Sequence, residues 1–368
     1  MNAPIKRPLK QHIEHNHPAA PERSVFDHRE FKGHEQVVFG HDRESGLLTI
    51  IAIHDTRLGP ALGGCRMWDY ATTGEAVTDA LRLSRGMTYK NALAGLDLGG
   101  GKAVIIGDPR HDKTAGLLAA FGEQVERLAG RYITAEDVGI SAEDMEIVAS
   151  ETRHARGTRA TGLGDPSPYT ALGVFVGIKA AVAHRFGSDK LNGRTISLQG
   201  LGHVGMILAR MLHDAGARLI VSDIHQPSVE RAVAEFGAAT IEAGKAHKAE
   251  ADVFAPCALG AGLNDVTIPA IKAPIVAGAA NNQLAEDRHG QMLKDRGILY
   301  APDYAINAGG VISIAVAKPG GGEMAVRDKV MAIGQTLSHI FERAAALDLP
   351  THVVADQIAE ERLASAGR

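Results

Sequence analysis

The chain has 368 residues, 45% of them apolar and 22% charged, with a formal net charge of −4. That length exceeds what one ordinary core supports and points to two domains, while the charge balance lacks the basic field that nucleic acid or an anionic membrane surface would need. No stretch reaches the roughly 18 uncharged apolar residues of a membrane span. The two cysteines, Cys65 and Cys257, stand outside any C-x-x-C pair, which argues against a disulfide framework and fits a reducing cytoplasm.

Residues 1–23 are polar, hold four prolines and carry His12, His15 and His17, with no secretory h-region. They read as a flexible extension rather than a metal site, because no anchored fourth ligand is in sight. Residues 47–54 form an apolar, Ile-rich run expected to be a buried strand. The stretch 58–64 (Leu-Gly-Pro-Ala-Leu-Gly-Gly) reads as a turn. Apolar residues at 77, 80, 81 and 83 predict a helix over 74–92 with one buried face. A short strand is expected at 103–106, a helix at 115–128 and a strand at 132–134 that ends on Ala135-Glu136-Asp137.

Glycines and prolines crowd 155–168, which reads as a domain junction. A helix over 169–184 follows, then strands at 195–199, 218–222, 252–254, 274–277 and 298–300, with a helix at 203–215. This alternation predicts a doubly wound parallel sheet of the Rossmann type. From 323 to the end the pattern is helical. The partition expected is an extension (1–23), an α/β substrate and oligomerisation domain (24–155 with 347–368) and a dinucleotide-binding domain (156–346), with a cleft between the two domains.

Gly86-Met87-Thr88-Tyr89-Lys90 followed by Leu98-Gly99-Gly100-Gly101-Lys102 sets two lysines twelve apart in apolar, glycine-rich surroundings. Low-polarity walls and a neighbouring cation lower a lysine's pKa, which makes an amine usable as a base near neutral pH and leaves its companion to hold a carboxylate. A phosphate-loop reading of 99–102 fails: Ala103 stands where Ser or Thr should bind magnesium, and Leu96 where the first glycine should be. The three glycines are instead expected to let backbone approach a small ligand.

Gly200-Leu201-Gly202-His203-Val204-Gly205 follows a predicted strand, opens a predicted helix and precedes a strand ending in Asp223. In that setting the first glycine makes a turn, the second admits a pyrophosphate and the third packs helix on sheet. Asp223 suits a ribose diol and would repel a 2′-phosphate, and Ile224-His225-Gln226 offers no arginine, so NAD is favoured over NADP. Asp137, Cys257, Asn281 and Asn282 each follow a predicted strand. Cys257 has no histidine partner nearby and reads as a small residue beside the dinucleotide rather than a nucleophile.

These stretches, together with Leu58 to Met67, Tyr132 to Gly139, Ala255 to Gly260 and Ala301 to Val311, resemble the amino acid dehydrogenase superfamily, most of all the leucine dehydrogenase branch. The resemblance implies that Lys102 is the catalytic lysine, Asp137 its partner and Lys90 the binder of the substrate α-carboxylate. It places Gly63, Gly64, Met87 and Asn282 at the substrate, and Leu62, Ala135, Val311 and Ile314 around its side chain. It assigns Thr170, Gly200, Gly202, His203, Val204, Gly205, Asp223, Cys257, Ala258 and Asn281 to the dinucleotide.

The implied reaction is reversible NAD-dependent deamination of leucine, valine or isoleucine to a 2-oxo acid and ammonium, by a homo-oligomer (octamer or dimer), with no metal and no nucleic-acid or membrane partner. The apolar pocket offers nothing to pair a second carboxylate, which disfavours glutamate. Phenylalanine is the near competitor, since bulk changes in an apolar pocket discriminate by only about 1–3 kcal/mol. A non-catalytic dinucleotide-binding regulator stands as the alternative from another class. A hydroxyacid dehydrogenase would want a histidine beside a carboxylate-binding arginine, and Arg66, the nearest candidate, lacks one.

Overall fold

The computed structural model describes residues 24–158, 163–258, 260–317 and 322–366; the extension 1–23 with its histidines lies outside them. The first unit is built on β1 (Gln36–His41), β2 (Leu48–Asp55), β3 (Ala61–Trp68), β4 (Gly99–Ile106) and β5 (Tyr132–Ala135), in the spatial order β1-β2-β4-β3-β5. β1, β2 and β4 run antiparallel in sequence, while β3 lies parallel to both β4 and β5. Helix α1 (Thr73–Leu93) covers one face, and α2 (Ala115–Glu126) and α3 (Ala142–Glu151) pack together around the opposite core of Phe121, Tyr132, Met145 and Val148. Caps define these helices: the hydroxyls of Thr72, Thr114 and Ser141 accept N–H bonds from Glu75, Leu117 and Asp144.

Two expectations are corrected here. Residues 61–64 are the start of strand β3, not part of a turn; the turn lies before them, closed by the Gly59 N–H on the Thr56 carbonyl at 3.0 Å, with Gly59 at φ +140. The glycines 99–101 belong to strand β4, where neighbouring protein atoms by themselves account for glycine. A Cβ on Gly99 would meet the Asp55 carbonyl at 1.9 Å, on Gly100 the Thr88 nitrogen at 2.1 Å, and on Gly101 the Tyr132 ring at 2.7 Å. Low strand propensity was overridden by close packing on both faces.

The second unit holds β6 (Thr195–Gln199), β7 (Arg218–Ser222), β8 (Ala239–Thr240), β9 (Val253–Pro256), β10 (Ile275–Val276) and β11 (Leu299–Tyr300), all parallel in the order β11-β10-β9-β6-β7-β8. This is the expected doubly wound sheet, and its strand order reverses between β6 and β9. Helices α4 (Ser167–Phe186), α5 (His203–Asp214), α6 (Gln226–Phe236), α7 (Arg288–Asp295), α8 (Asp303–Ile306) and α9 (Gly309–Val316) belong to it.

The helical C-terminus is three helices, α10 (Glu323–Met331), α11 (Ile333–Leu347) and α12 (Thr351–Ala366), the last break falling at Asp348 (φ 53) ahead of Pro350. β1, β8, α3 and α6 to α9 escaped the sequence reading. No described helix is long and apolar enough to cross a membrane.

Helix α12 returns to the first unit. Arg362 donates to the carbonyls of Ala92 (2.7 Å) and Leu96 (2.9 Å), satisfying the C-terminus of α1, and Tyr89 donates to Glu360 at 2.6 Å. Ala355, Ala359 and Leu363 join the same core as Tyr89, Ala92 and Leu93. Replacing Arg362 with Ala is expected to lower the unfolding free energy by about 2 kcal/mol, because two charge-assisted bonds to carbonyls at the end of α1 are lost; a urea titration of both proteins measures it.

Candidate active site

The two units face each other across a cleft of about 540 Å³. From the first unit, β3 supplies Leu62, Gly63, Gly64 and Arg66, α1 supplies Met87 and Lys90, β4 supplies Lys102, and the end of β5 supplies Ala135, Glu136 and Asp137. The second unit contributes Thr170 from α4, Val204 from α5, Asn281 and Asn282 after β10, Asp303, Tyr304 and Asn307 after β11, and Val311 and Ile314 from α9. Parallel pairing explains the grouping: Leu62 sits opposite Gly100, and Gly64 opposite Ala135. Every substrate and catalytic residue expected from sequence therefore lines one cavity.

Lys102 is 5% exposed and donates to Asp137 Oδ2 at 2.5 Å. Arg66 Nε donates to the same oxygen at 3.1 Å, and its Nη1 to Asp79 at 2.8 Å. Burial raises the Asp137 carboxyl, but Lys102 and Arg66 outweigh it and bring it to about 2. Lys90 is half-buried and donates to Asn281 Oδ1 at 3.1 Å. Burial first, then the charge of Lys102, lowers its ammonium to about 8, against the opposing pull of Asp303 and Asp137. Lys90 thus shows the lowering expected of a lysine in this cleft, and Lys102 forms an ion pair with Asp137.

Three further residues of this cleft are given no site role by the sequence reading. Asp303 is 8% exposed, accepts from the Gln283 N–H at 3.1 Å and from Tyr300 at 3.3 Å, and is raised by burial although Lys90 opposes that. Asn307 donates to Asn281 Oδ1 at 2.7 Å, and its own buried Oδ1 has no partner among the described residues. Arg66 had been considered only for a different chemistry. All three carried a legible signal: Arg66 shares the β3 face of Leu62 and Gly64 by alternation, and Asp303 and Asn307 follow a strand of the parallel sheet.

The remaining predicted residues gather at the carboxyl ends of β6, β7 and β9. Gly200 takes φ +99, and a Cβ there would meet Cys257 and Ala258 backbone at 2.8 and 2.9 Å. Gly205 packs against the Gly200 carbonyl, where a Cβ would sit at 2.0 Å. Gly202, the N-cap before His203, has φ −69 and nothing within 4 Å of an added Cβ, so no protein contact demands glycine there. The N-terminus of α5 has no side-chain cap, which leaves its N–H groups available to an anion. Asp223 is fixed by the N–H groups of Leu201 (2.5 Å) and His225 (2.7 Å). Cys257 accepts weakly from the Ala279 N–H, and burial pushes its thiol up to about 12, which excludes a resting thiolate at neutral pH.

Comparison with known proteins agrees with this geometry. Residues 34–154 match the family model for the Glu/Leu/Phe/Val dehydrogenase dimerisation domain, and 224–318 the model for glutamate/leucine/phenylalanine/valine dehydrogenase. Leucine dehydrogenase of Thermoactinomyces intermedius is 52% identical over 92% of this chain and 93% of its own length. Valine dehydrogenase of Streptomyces virginiae is 47% identical over 92% and 96%. The crystal structure of L-tryptophan dehydrogenase from Nostoc punctiforme superposes with a TM-score of 0.81 at 46% identity, covering 92% of this chain and 98% of that one.

The pH behaviour of Lys90 gives a direct check. Its cation is present below about pH 8 and lost above it, so affinity for 4-methylpentanoate, a branched carboxylate with no amine to titrate, is expected to fall as pH rises through that value. Lys90→Gln is expected to bind weakly and without that dependence; isothermal titration across pH 6.5–9.5 measures both.

Proposed function

Because this chain belongs to the Glu/Leu/Phe/Val dehydrogenase family, we propose that its cleft carries out NAD-dependent oxidative deamination of branched-chain L-amino acids, reversibly, to 2-oxo acids and ammonium. The observation that carries the reading is the Lys102–Asp137 pair at 2.5 Å beside Lys90 in one cavity. The residues fit NAD on steric grounds: the open space over Gly202 suits a pyrophosphate, the uncapped α5 its charge, and the fixed Asp223 carboxylate a ribose diol. His203, Val204, Gly205, Cys257 and Ala258 complete that cradle, with Thr170, Asn281 and Asn307 at its nicotinamide end. When bound, NAD supplies the acceptor for the hydride of the substrate α-carbon.

The chain's own residues do the rest. Lys90 exchanges Asn281 for the substrate carboxylate. Leu62, Ala135, Val311 and Ile314 surround the side chain, and the bare pocket offers no cation for a second carboxylate. Loss of hydride leaves an iminium carbon. Lys102 in its neutral form takes a proton from the water that attacks it, and Asp137, 2.5 Å away, receives and returns protons so that the amine leaves as ammonia. Arg66, which donates to the same Asp137 oxygen at 3.1 Å, orients that carboxyl group beside Lys102. Closure of the two units excludes bulk water from these steps. The enzyme works in the cytoplasm as a homo-oligomer, a dimer or octamer joined through the first unit, whose family model is named a dimerisation domain. The first unit spans 24–155 with 347–368 and the second 156–346.

An assay of NADH formation with leucine, valine, phenylalanine and glutamate tests the reading; leucine and valine are expected to be turned over in preference, and glutamate not at all. Lys102→Ala is expected to lose about 10³-fold or more in kcat while NADH still quenches intrinsic fluorescence on binding. Normal turnover by that variant would overturn the mechanism.

A further inference from the structure

Glycine inside a helix is destabilising and needs a reason. Several described helices show it in their packing. A Cβ would meet the Val148 carbonyl at 2.7 Å from Gly122, Ile333 at 2.8 Å from Gly173, Ile306 at 2.5 Å from Gly177 and His352 at 2.1 Å from Gly290.

Gly86, in the interior of the 21-residue α1, is different. An added Cβ would have no neighbour within 4 Å, and its φ is not positive. Neither packing nor backbone geometry asks for glycine. Gly86 is exposed to the cleft, on the same face of α1 as Leu83, Met87 and Lys90, one turn before Lys90. The same signature, no neighbour for an added Cβ and an ordinary φ, marks Gly202, where the proposed pyrophosphate supplies the reason.

We infer that Gly86 is a specificity-determining residue: its missing side chain reserves space beside Lys90 for the aliphatic side chain of the bound amino acid. This rests on the function proposed above. The carboxylate anchored at Lys90 fixes one end of the substrate, and Gly86, one turn away on the same face of α1, lines the same cavity as Leu62, Ala135, Val311 and Ile314. A methyl group on Gly86 fits the empty cleft but takes space from the ligand. It penalises a long branched side chain more than a short one.

The test is Gly86→Ala, assayed beside the unmodified enzyme with leucine and 2-aminobutyrate. Its melting temperature without ligand is expected to rise, since a helix-interior glycine has been removed without a clash. The kcat/KM for leucine is expected to fall at least tenfold relative to that for 2-aminobutyrate, with NADH affinity unchanged; Gly86→Leu should extend the same trend. An unchanged ratio overturns the inference, as does an equal loss for both substrates. A lower melting temperature also overturns it, because Gly86 would then serve the fold. If the unmodified enzyme turns over neither substrate, the functional reading itself falls and takes this inference with it; an active enzyme with an unchanged ratio sinks the inference alone.

Discussion

Helix α1 lies on strand β4 at a distance only glycine permits. Gly100 stands where any Cβ would be 2.1 Å from both the nitrogen and the hydroxyl of Thr88. Two residues beyond Thr88 is Lys90, and two beyond Gly100 is Lys102. The contact therefore sets both amines on one wall of the cleft. A larger residue at 100 would push the helix away and separate them. Gly63, where a Cβ would be 1.7 Å from the Gly101 carbonyl, draws β3 equally close and delivers Leu62 and Gly64 to the same wall. The first unit's glycines are thus a packing device whose product is a pair of amines on one wall of the cleft.

Such a pair is costly unless balanced. The compensation is divided between the units. Asp137, held near 2 by Lys102 and Arg66 against its burial, answers the cations from the first unit. Asp303, from the second, faces Lys90 across the cleft and is itself raised by burial. Lys90 also reaches across to Asn281, which Asn307 holds from behind. The electrostatic balance of the first unit is completed only when the second is in place, so the same contacts that neutralise the cleft tie its two walls together.

The nucleotide half solves a steric problem with the same residue type used in three ways. Gly200 supplies a turn at φ +99, Gly205 lets α5 sit on the sheet, and Gly202 leaves room. Only the first two are explained by protein atoms. An unexplained glycine is informative because evolution or design has no structural use for the missing methyl, and that reasoning applies on both walls of the cleft.

The sequence by itself determined the doubly wound sheet and the glycine-rich turn between β6 and α5, because these rest on local periodicity and on glycine spacing within one strand–turn–helix unit; the side chains that line the cleft were named there through family resemblance. It misassigned β3 and the start of β4, where glycine's weak strand preference was overruled by contacts with residues far along the chain. It did not show that Arg66, Asp303 and Asn307 join the cleft, nor that the Lys90 ammonium is lowered to about 8. Those outcomes depend on burial and on charges brought together from both units, distances that exist only once the chain has folded. Chemistry carried by residue type was legible in one dimension; the electrostatics that tune it were decided in three.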